Sequence, residues 1–148
     1  MEIERKYLIN EKNVPANLHD YPCRNIEQGY LCREPVIRIR RDNEEYILTY
    51  KSKGLMVREE YNLPLTKEAY EHLKPKTDGT FIRKTRYMLP LRDNLTIELD
   101  IFLGSLAPLV LAEVEFPDEE SANTFVPPVW FGEDVTLSSR YHNSTLSI

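Results

Sequence analysis

Polar and apolar residues alternate along most of this chain, in short runs broken by turn residues. A strand sends successive side chains to opposite faces, so each run divides by parity into two faces. Eight runs read as strands: residues 2–9, 24–32, 36–41, 45–53, 56–63, 80–89, 96–102 and 109–116. Gly54, Asp78-Gly79, Asp93-Asn94 and Gly104 mark the turns. Helical signals are few. Thr66 caps a short helix over residues 67–73 that Pro75 stops, and Asp118 caps another over 119–124 ahead of Pro127-Pro128. A third is expected over 11–18, weakened by Pro15, and the tail from 135 to 148 reads as loosely packed on the outside. No linker or fixed-period repeat divides the sequence, so one domain over 1–148 is expected.

One parity of these strands collects charge. It carries Glu2, Glu4 and Lys6; Arg38 and Arg40; Thr49, Lys51 and Lys53; Arg58 and Glu60; Lys84 and Arg86; Glu98 and Asp100; and Glu113 and Glu115. The other parity is apolar: Ile37 and Ile39, Leu48 and Tyr50, Ile97, Leu99 and Ile101, Ala112, Val114 and Phe116. Arg5 and Arg41 fall on that outer side, and Tyr7 and Tyr61 share it as packing residues. An open sheet showing charge to water would give such alternation in any one strand. A solvated face, however, mixes charge with Ser, Thr and Gln. Here cations cluster on the middle strands and acids on the last two, with further acids on the first. Eight strands closed on themselves would remove the exposed edges and turn the charged parity inward. The expected fold is therefore mostly β: an eight-stranded antiparallel barrel around a charged tunnel, with short flanking helices. Cations would line one wall and acids another, with the helices and tail covering the apolar outside.

Composition narrows the function. The 148 residues are 41% hydrophobic and 29% charged, enough apolar matter for a core. A net charge of -5 argues against a general nucleic-acid binder. No run is long and apolar enough to cross a bilayer, and charge from the second residue onward excludes a secretory leader, so a cytoplasmic location is expected. Cys23 and Cys32 lack CxxC spacing and read as free thiols, and the scattered His19, His72 and His142 give no zinc pattern and no assigned role.

The opening Glu2-Ile-Glu4-Arg-Lys6 resembles the ExExK motif of the CYTH domain, the triphosphate tunnel metalloenzymes. The likeness continues in order through "IEQGYL", "VIRIRR", "LTYKSKG", "VREEYNLPL", "KTRYML", "IELDIF" and "LAEVEFP". It implies an eight-stranded tunnel that binds a triphosphate and Mg²⁺ or Mn²⁺. By resemblance Glu2, Glu4, Glu113 and Glu115 hold metal, with Glu98 and Asp100 as further acidic ligands or supports. Lys6, Arg38, Arg40, Lys51, Lys53, Arg58, Lys84 and Arg86 would surround the polyanion, and residue chemistry agrees: guanidinium forks match phosphate oxygens and carboxylates suit hard cations. Lys6 is implied to act catalytically, as are Tyr30 and Lys53 paired with each other, and Glu60 to orient Arg58 or Arg86.

The short chain favours hydrolysis of inorganic tripolyphosphate, with nucleoside triphosphates as side substrates. A class IV adenylyl cyclase and a non-catalytic polyphosphate binder are the alternatives. The glycines are too scattered for a Walker loop. The expected partner is a small polyphosphate, with neither nucleic acid nor membrane, and a homodimer is left open.

Overall fold

The computed structural model describes residues 1–148. The strands are β1 (Glu2–Leu8), β2 (Cys23–Arg33), β3 (Val36–Asp42), β4 (Glu45–Lys51), β5 (Val57–Arg58), β6 (Glu60–Pro64), β7 (Asp78–Pro90), β8 (Thr96–Phe102) and β9 (Val110–Glu115). They form one antiparallel sheet in the order β5-β1-β9-β8-β7-β2-β3-β4-β6. The expected barrel is present, with nine strands in place of eight because the run at 56–63 is broken. Only Glu59 separates β5 from β6. β5 pairs with β1, setting Arg58 opposite Glu2, while β6 pairs with β4. One bent stretch thus links both ends of the sheet. Its bend is held by Ser52, whose backbone N–H donates to the Glu59 carbonyl at 3.0 Å and whose hydroxyl accepts from the Glu59 N–H at 2.9 Å.

Helices α1 (Lys67–Leu73) and α2 (Glu119–Asn123) stand where their caps predict, with Thr66 and Asp118 accepting backbone N–H bonds at 3.0 and 2.7 Å. The third expected helix is absent. Residues 11–18 hold only a 3-10 turn at Glu11–Asn13, and a second turn follows at Leu18–Asp20. Proline at position 15 removes the N–H a continuous helix needs there.

The apolar residues form two cores on opposite sides of the barrel wall. The outer core joins Ile3, Tyr7, Leu89, Ile97, Leu99, Ala112, Val114 and Phe116 to Ala122 of α2, with Phe125, Trp130 and Phe131 packed against it. Because that face is covered, β1 is buried on both sides. The second core lies on the lumen parity. Tyr30, Val36, Ile82, Phe102 and Leu111 fill one end of the barrel with Val135, while Leu8, Tyr141 and Leu146 pack against them. Here the tail departs from expectation. It is not loose on the outside: Val135, Thr136 and Ser147 are buried, and α3 (Asn143–Leu146) closes this end. Burying Val135 and Leu146 supplies the driving force, and Gly79 supplies the room. At its φ of +70° a glycine is needed, and a Cβ would collide with the Ser147 carbonyl.

Candidate functional site

A cavity of about 300 Å³ occupies the lumen. Strand parity brings Glu2, Glu4, Lys6, Tyr30, Arg38, Arg40, Lys51, Arg58, Arg86, Glu98, Glu113 and Glu115 onto its walls. Three residues expected in the site stand elsewhere. Lys53 projects outward with a 79% exposed side chain and pairs with Glu34 at 2.7 Å. The β4 ladder ends at Lys51, so the alternation that would have turned Lys53 inward no longer applies. Tyr30 instead accepts from Gln28 Nε2 at 3.0 Å, and Gln28 Oε1 accepts from Arg40 Nε at 2.8 Å, so it steadies Arg40. Lys84 and Asp100 have the expected parity but lie fully buried beneath the cavity wall.

Asp100 has no oxygen to spare for a metal. It accepts a fork from Arg86, Nε at 2.7 Å and Nη2 at 2.9 Å, and Lys84 Nζ donates to it at 2.7 Å. Against the cost of burial, these two cations hold the Asp100 carboxyl below its usual range. Burial pulls the Lys84 ammonium down to about 7, opposed by Asp100. Arg86 also reaches Glu98 at 2.9 Å and Glu113 at 3.6 Å. This cluster is closed by its own charges.

Elsewhere the pairing is incomplete, and it differs between walls. On β3, Arg38 is buried and its only side-chain bond is to Thr49 Oγ1 at 3.1 Å, leaving its Nε without a partner. Arg40 has Gln28 and no carboxylate. Burial, with Arg38 and Arg86 nearby, pulls it down to about 9. Across the barrel, Glu4 is buried without an ion pair, and burial together with Glu113 raises its carboxyl. Burial and Glu98 raise Glu115 as well. Sheet register sets Glu4 opposite Glu115 and Glu98 opposite Glu113, like charges that repel in direct cross-strand pairs.

Between these walls the two signs meet. Lys51 Nζ donates to both Glu2 oxygens at 3.0 Å and lies 3.3 Å from Glu60, with Arg58 3.8 Å from Glu2. Glu60 therefore serves Lys51, not Arg58 or Arg86. Burial and Glu4 still raise Glu2 to about 8. Lys6 lies 3.6 Å from Glu113 and donates to the Tyr141 carbonyl at 3.1 Å. The expected separation of signs thus holds for Arg38 and Arg40 against Glu4 and Glu115, and gives way to ion pairs elsewhere.

The donor set suits a hard divalent cation. It consists of carboxylate oxygens, and the repulsion of Glu4, Glu98, Glu113 and Glu115 is the kind a cation relieves. No three of these acids stand close enough to form a cage, and Glu113 is paired with Lys6 and Arg86, and Glu98 with Arg86.

The cavity also uses residues not singled out by sequence. Asp42, Ile47 and Asn62 follow the inward parity of Arg40, Lys51 and Glu60, which was sufficient to find them. His142, Asn143 and Ser144 come from the tail, where no periodic signal exists.

A model of the CYTH domain matches residues 1–147. The chain is 43% identical over 151 residues to an inorganic triphosphatase of Nitrosomonas europaea, covering 99% of this chain and 97% of the relative. It is 35% identical over 150 residues to an inorganic triphosphatase of Acetivibrio thermocellus, covering 98% and 92%. Among solved structures, the crystal structure of an inorganic triphosphatase superposes with a TM-score of 0.72 at 39% identity, covering 99% of this chain and 94% of the other.

Proposed function

The chain belongs to the CYTH domain family, and from that premise we propose that it is an inorganic triphosphatase, cleaving tripolyphosphate to pyrophosphate and phosphate within the barrel with Mg²⁺ or Mn²⁺. The observation that carries this reading is the pair of facing, under-compensated walls: Arg38 and Arg40 lack carboxylate partners, while Glu4 and Glu115 lack cations. A bound polyanion together with a divalent cation satisfies both.

Arg38, Arg40, Arg58, Arg86, Lys6 and Lys51 hold the phosphate oxygens. As the substrate engages Lys51 and Lys6, their present partners Glu2 and Glu113 are freed. Those two, with Glu4, Glu115 and Glu98, are the residues that would hold the metal. When bound, it supplies charge neutralisation and lowers the pKa of a coordinated water. Asp100 and Lys84 act from beneath by fixing the Arg86 fork toward the lumen. Hydrolysis forms one bond from water oxygen to phosphorus and breaks the bridging P–O bond, whose electron pair departs on pyrophosphate. The arginine forks stabilise charge on the transferred group, the main demand of phosphoryl transfer.

The test offers tripolyphosphate and ATP to the purified protein with Mg²⁺, with Mn²⁺ and without either, and resolves all products. Pyrophosphate plus phosphate from tripolyphosphate, only with metal, is expected. Cyclic AMP and pyrophosphate as main products from ATP would establish a cyclase instead. Tight binding without turnover would leave a polyphosphate binder.

A further inference from the structure

We propose that Thr49 and Gln28 are the positioning residues of the cationic wall: each holds one arginine through a neutral oxygen, so that Arg38 and Arg40 are aimed at the polyphosphate with their charge unspent. The inference rests on the triphosphatase reading above and deepens it by naming what sets affinity for the polyanion.

Sheet register places each partner. Thr49 of β4 stands directly opposite Arg38 of β3, and Gln28 of β2 directly opposite Arg40. Both partners are fully buried, so water does not compete for their oxygens. Thr49 Oγ1 accepts from Arg38 Nη2 at 3.1 Å, and Gln28 Oε1 accepts from Arg40 Nε at 2.8 Å.

The direction of these bonds is forced by chemistry. A guanidinium only donates. Gln28 therefore turns its oxygen to Arg40 and its nitrogen to the Tyr30 hydroxyl, 3.0 Å away. Thr49 has a single hydroxyl proton, and it goes to Asn62 Oδ1 at 2.6 Å. Asn62 faces that way because its Nδ2 donates to Glu60 Oε1 at 3.1 Å, and a carboxylate only accepts. With its proton committed to Asn62, Thr49 presents lone pairs to Arg38. Branching at Cβ restricts the Thr49 rotamer and holds the hydroxyl in place.

The neutrality of the partners matters as much as their placement. Arg86 shows the alternative: Asp100 takes its Nε and Nη2, and Glu98 takes its Nη1. A phosphate that reaches Arg86 competes with two carboxylates. Arg38 and Arg40 carry no such competitor. Arg38 keeps its Nε without a partner, and the only side-chain bond of Arg40 is at Nε, which leaves both Nη groups for a ligand. A polyanion thus meets two guanidinium groups that are already oriented, which lowers the ordering cost of binding, and its bonds to them are charge-assisted. A carboxylate in place of either neutral partner would neutralise the arginine and repel the ligand.

The test measures tripolyphosphate binding by calorimetry without metal, beside kcat and KM with Mg²⁺, and follows folding by thermal melt. Gln28→Glu should weaken binding at least about tenfold, near the lower end of what a hydrogen bond to a charged group contributes, while the melting temperature holds or rises because Arg40 gains an ion pair. Affinity kept within about twofold, or loss of the fold, would overturn the neutral-partner argument. Thr49→Val should weaken binding on the same scale, and Thr49→Ser, which restores the hydroxyl, should recover it. A folded Thr49→Ser as weak as Thr49→Val would make Thr49 a packing residue only.

A double-mutant cycle shows whether Thr49 acts through Arg38. In an Arg38→Gln background Thr49→Val should cause no further loss, and a full additional loss would remove Thr49 from the proposal. If Thr49→Val does not fold, Thr49→Ala replaces it in the cycle. Where the wild type binds tripolyphosphate only with metal, kcat/KM carries the same comparisons. A wild type that neither binds nor cleaves tripolyphosphate is a separate result and defeats the triphosphatase reading.

Discussion

Two groups of charge line the same barrel and follow the same alternation, yet they are built for different ends. Beneath the cavity, Lys84, Arg86 and Asp100 saturate one another with short bonds. Along β1 and β9, the carboxyls of Glu2, Glu4 and Glu115 are raised, first by burial and then by neighbouring acids, and the nearby cations do not offset this. The first group spends its charge on holding the wall. The second keeps carboxylates that no cation fully satisfies on the cavity wall, where they interact with whatever enters. Parity identifies both as inward-facing and does not distinguish them. Partner geometry does.

The largest effect that separates the groups comes from Asp100→Asn. The amide keeps the shape but leaves buried Lys84 without a counter-charge and Arg86 without the carboxylate that takes its fork. Breaking one partner of a buried charge network costs about 3–5 kcal/mol. Denaturant unfolding should show a loss of that order, with activity falling because the Arg86 fork is no longer aimed. A loss below about 1 kcal/mol, the scale of a surface pair, would mean that the cluster does not hold the wall.

Glu4→Gln tests the other group and should reverse the pattern. Removing one carboxylate of the set that would hold the metal takes away charge stabilisation worth about 100-fold in kcat. Stability should hold or rise at neutral pH, because the ionised Glu4 is opposed by burial and by Glu113. Turnover is followed by phosphate release, and folding by thermal melt. Near-normal turnover would show that Glu4 is one more structural charge.

The barrel was legible because its two parities differ so sharply: Arg38 and Arg40 against Ile37 and Ile39, Glu113 against Val114. The ladder carries that alternation into space, so Asp42 and Asn62 could be located by the same rule. What parity cannot give is where a ladder stops or how far a pair is saturated. Lys53 was misplaced because β4 ends two residues earlier, and Asp100 because its distance to Arg86 depends on strand register and side-chain reach. The tail was misread because its inward turn depends on a few apolar contacts with residues of six distant strands, and such contacts leave no period in the sequence.

A smaller effect sharpens the contrast through pH. Burial and nearby cations depress His142 to about 4, below its unfolded value of 6.5. Between those values the unfolded chain binds the extra proton, so the His142 contribution to stability is complete above about 6.5 and fades as pH falls toward 4. The raised Glu2 acts oppositely: its folded state holds a proton between about 4.5 and 8, so its contribution weakens as pH rises through that window. Melting temperatures of wild type and His142→Asn should therefore diverge most near neutrality and converge as pH falls toward 4. A constant difference across that range would show that the imidazole does not titrate in the fold.

The smallest effect belongs to Lys53, where the alternation and the ladder disagree. Lys51 is buried between Glu2 and Glu60, and removing it would strand Glu2. Lys53 stands two residues further on, past the last ladder residue, with water around it and Glu34 as its partner. Its pKa is raised by that contact alone, through a hydrogen bond and the charge of Glu34. An exposed pair of this kind is screened by solvent and contributes little. Lys53→Ala should therefore leave the melting temperature unchanged and kcat/KM for tripolyphosphate within about twofold, a difference too small to reflect a lost transition-state contact. A loss as deep as that of Glu4→Gln would mean that the strand end turns inward when substrate binds. Lys53 would then return to the cationic wall, and an outer cavity that it lines would become part of the tunnel.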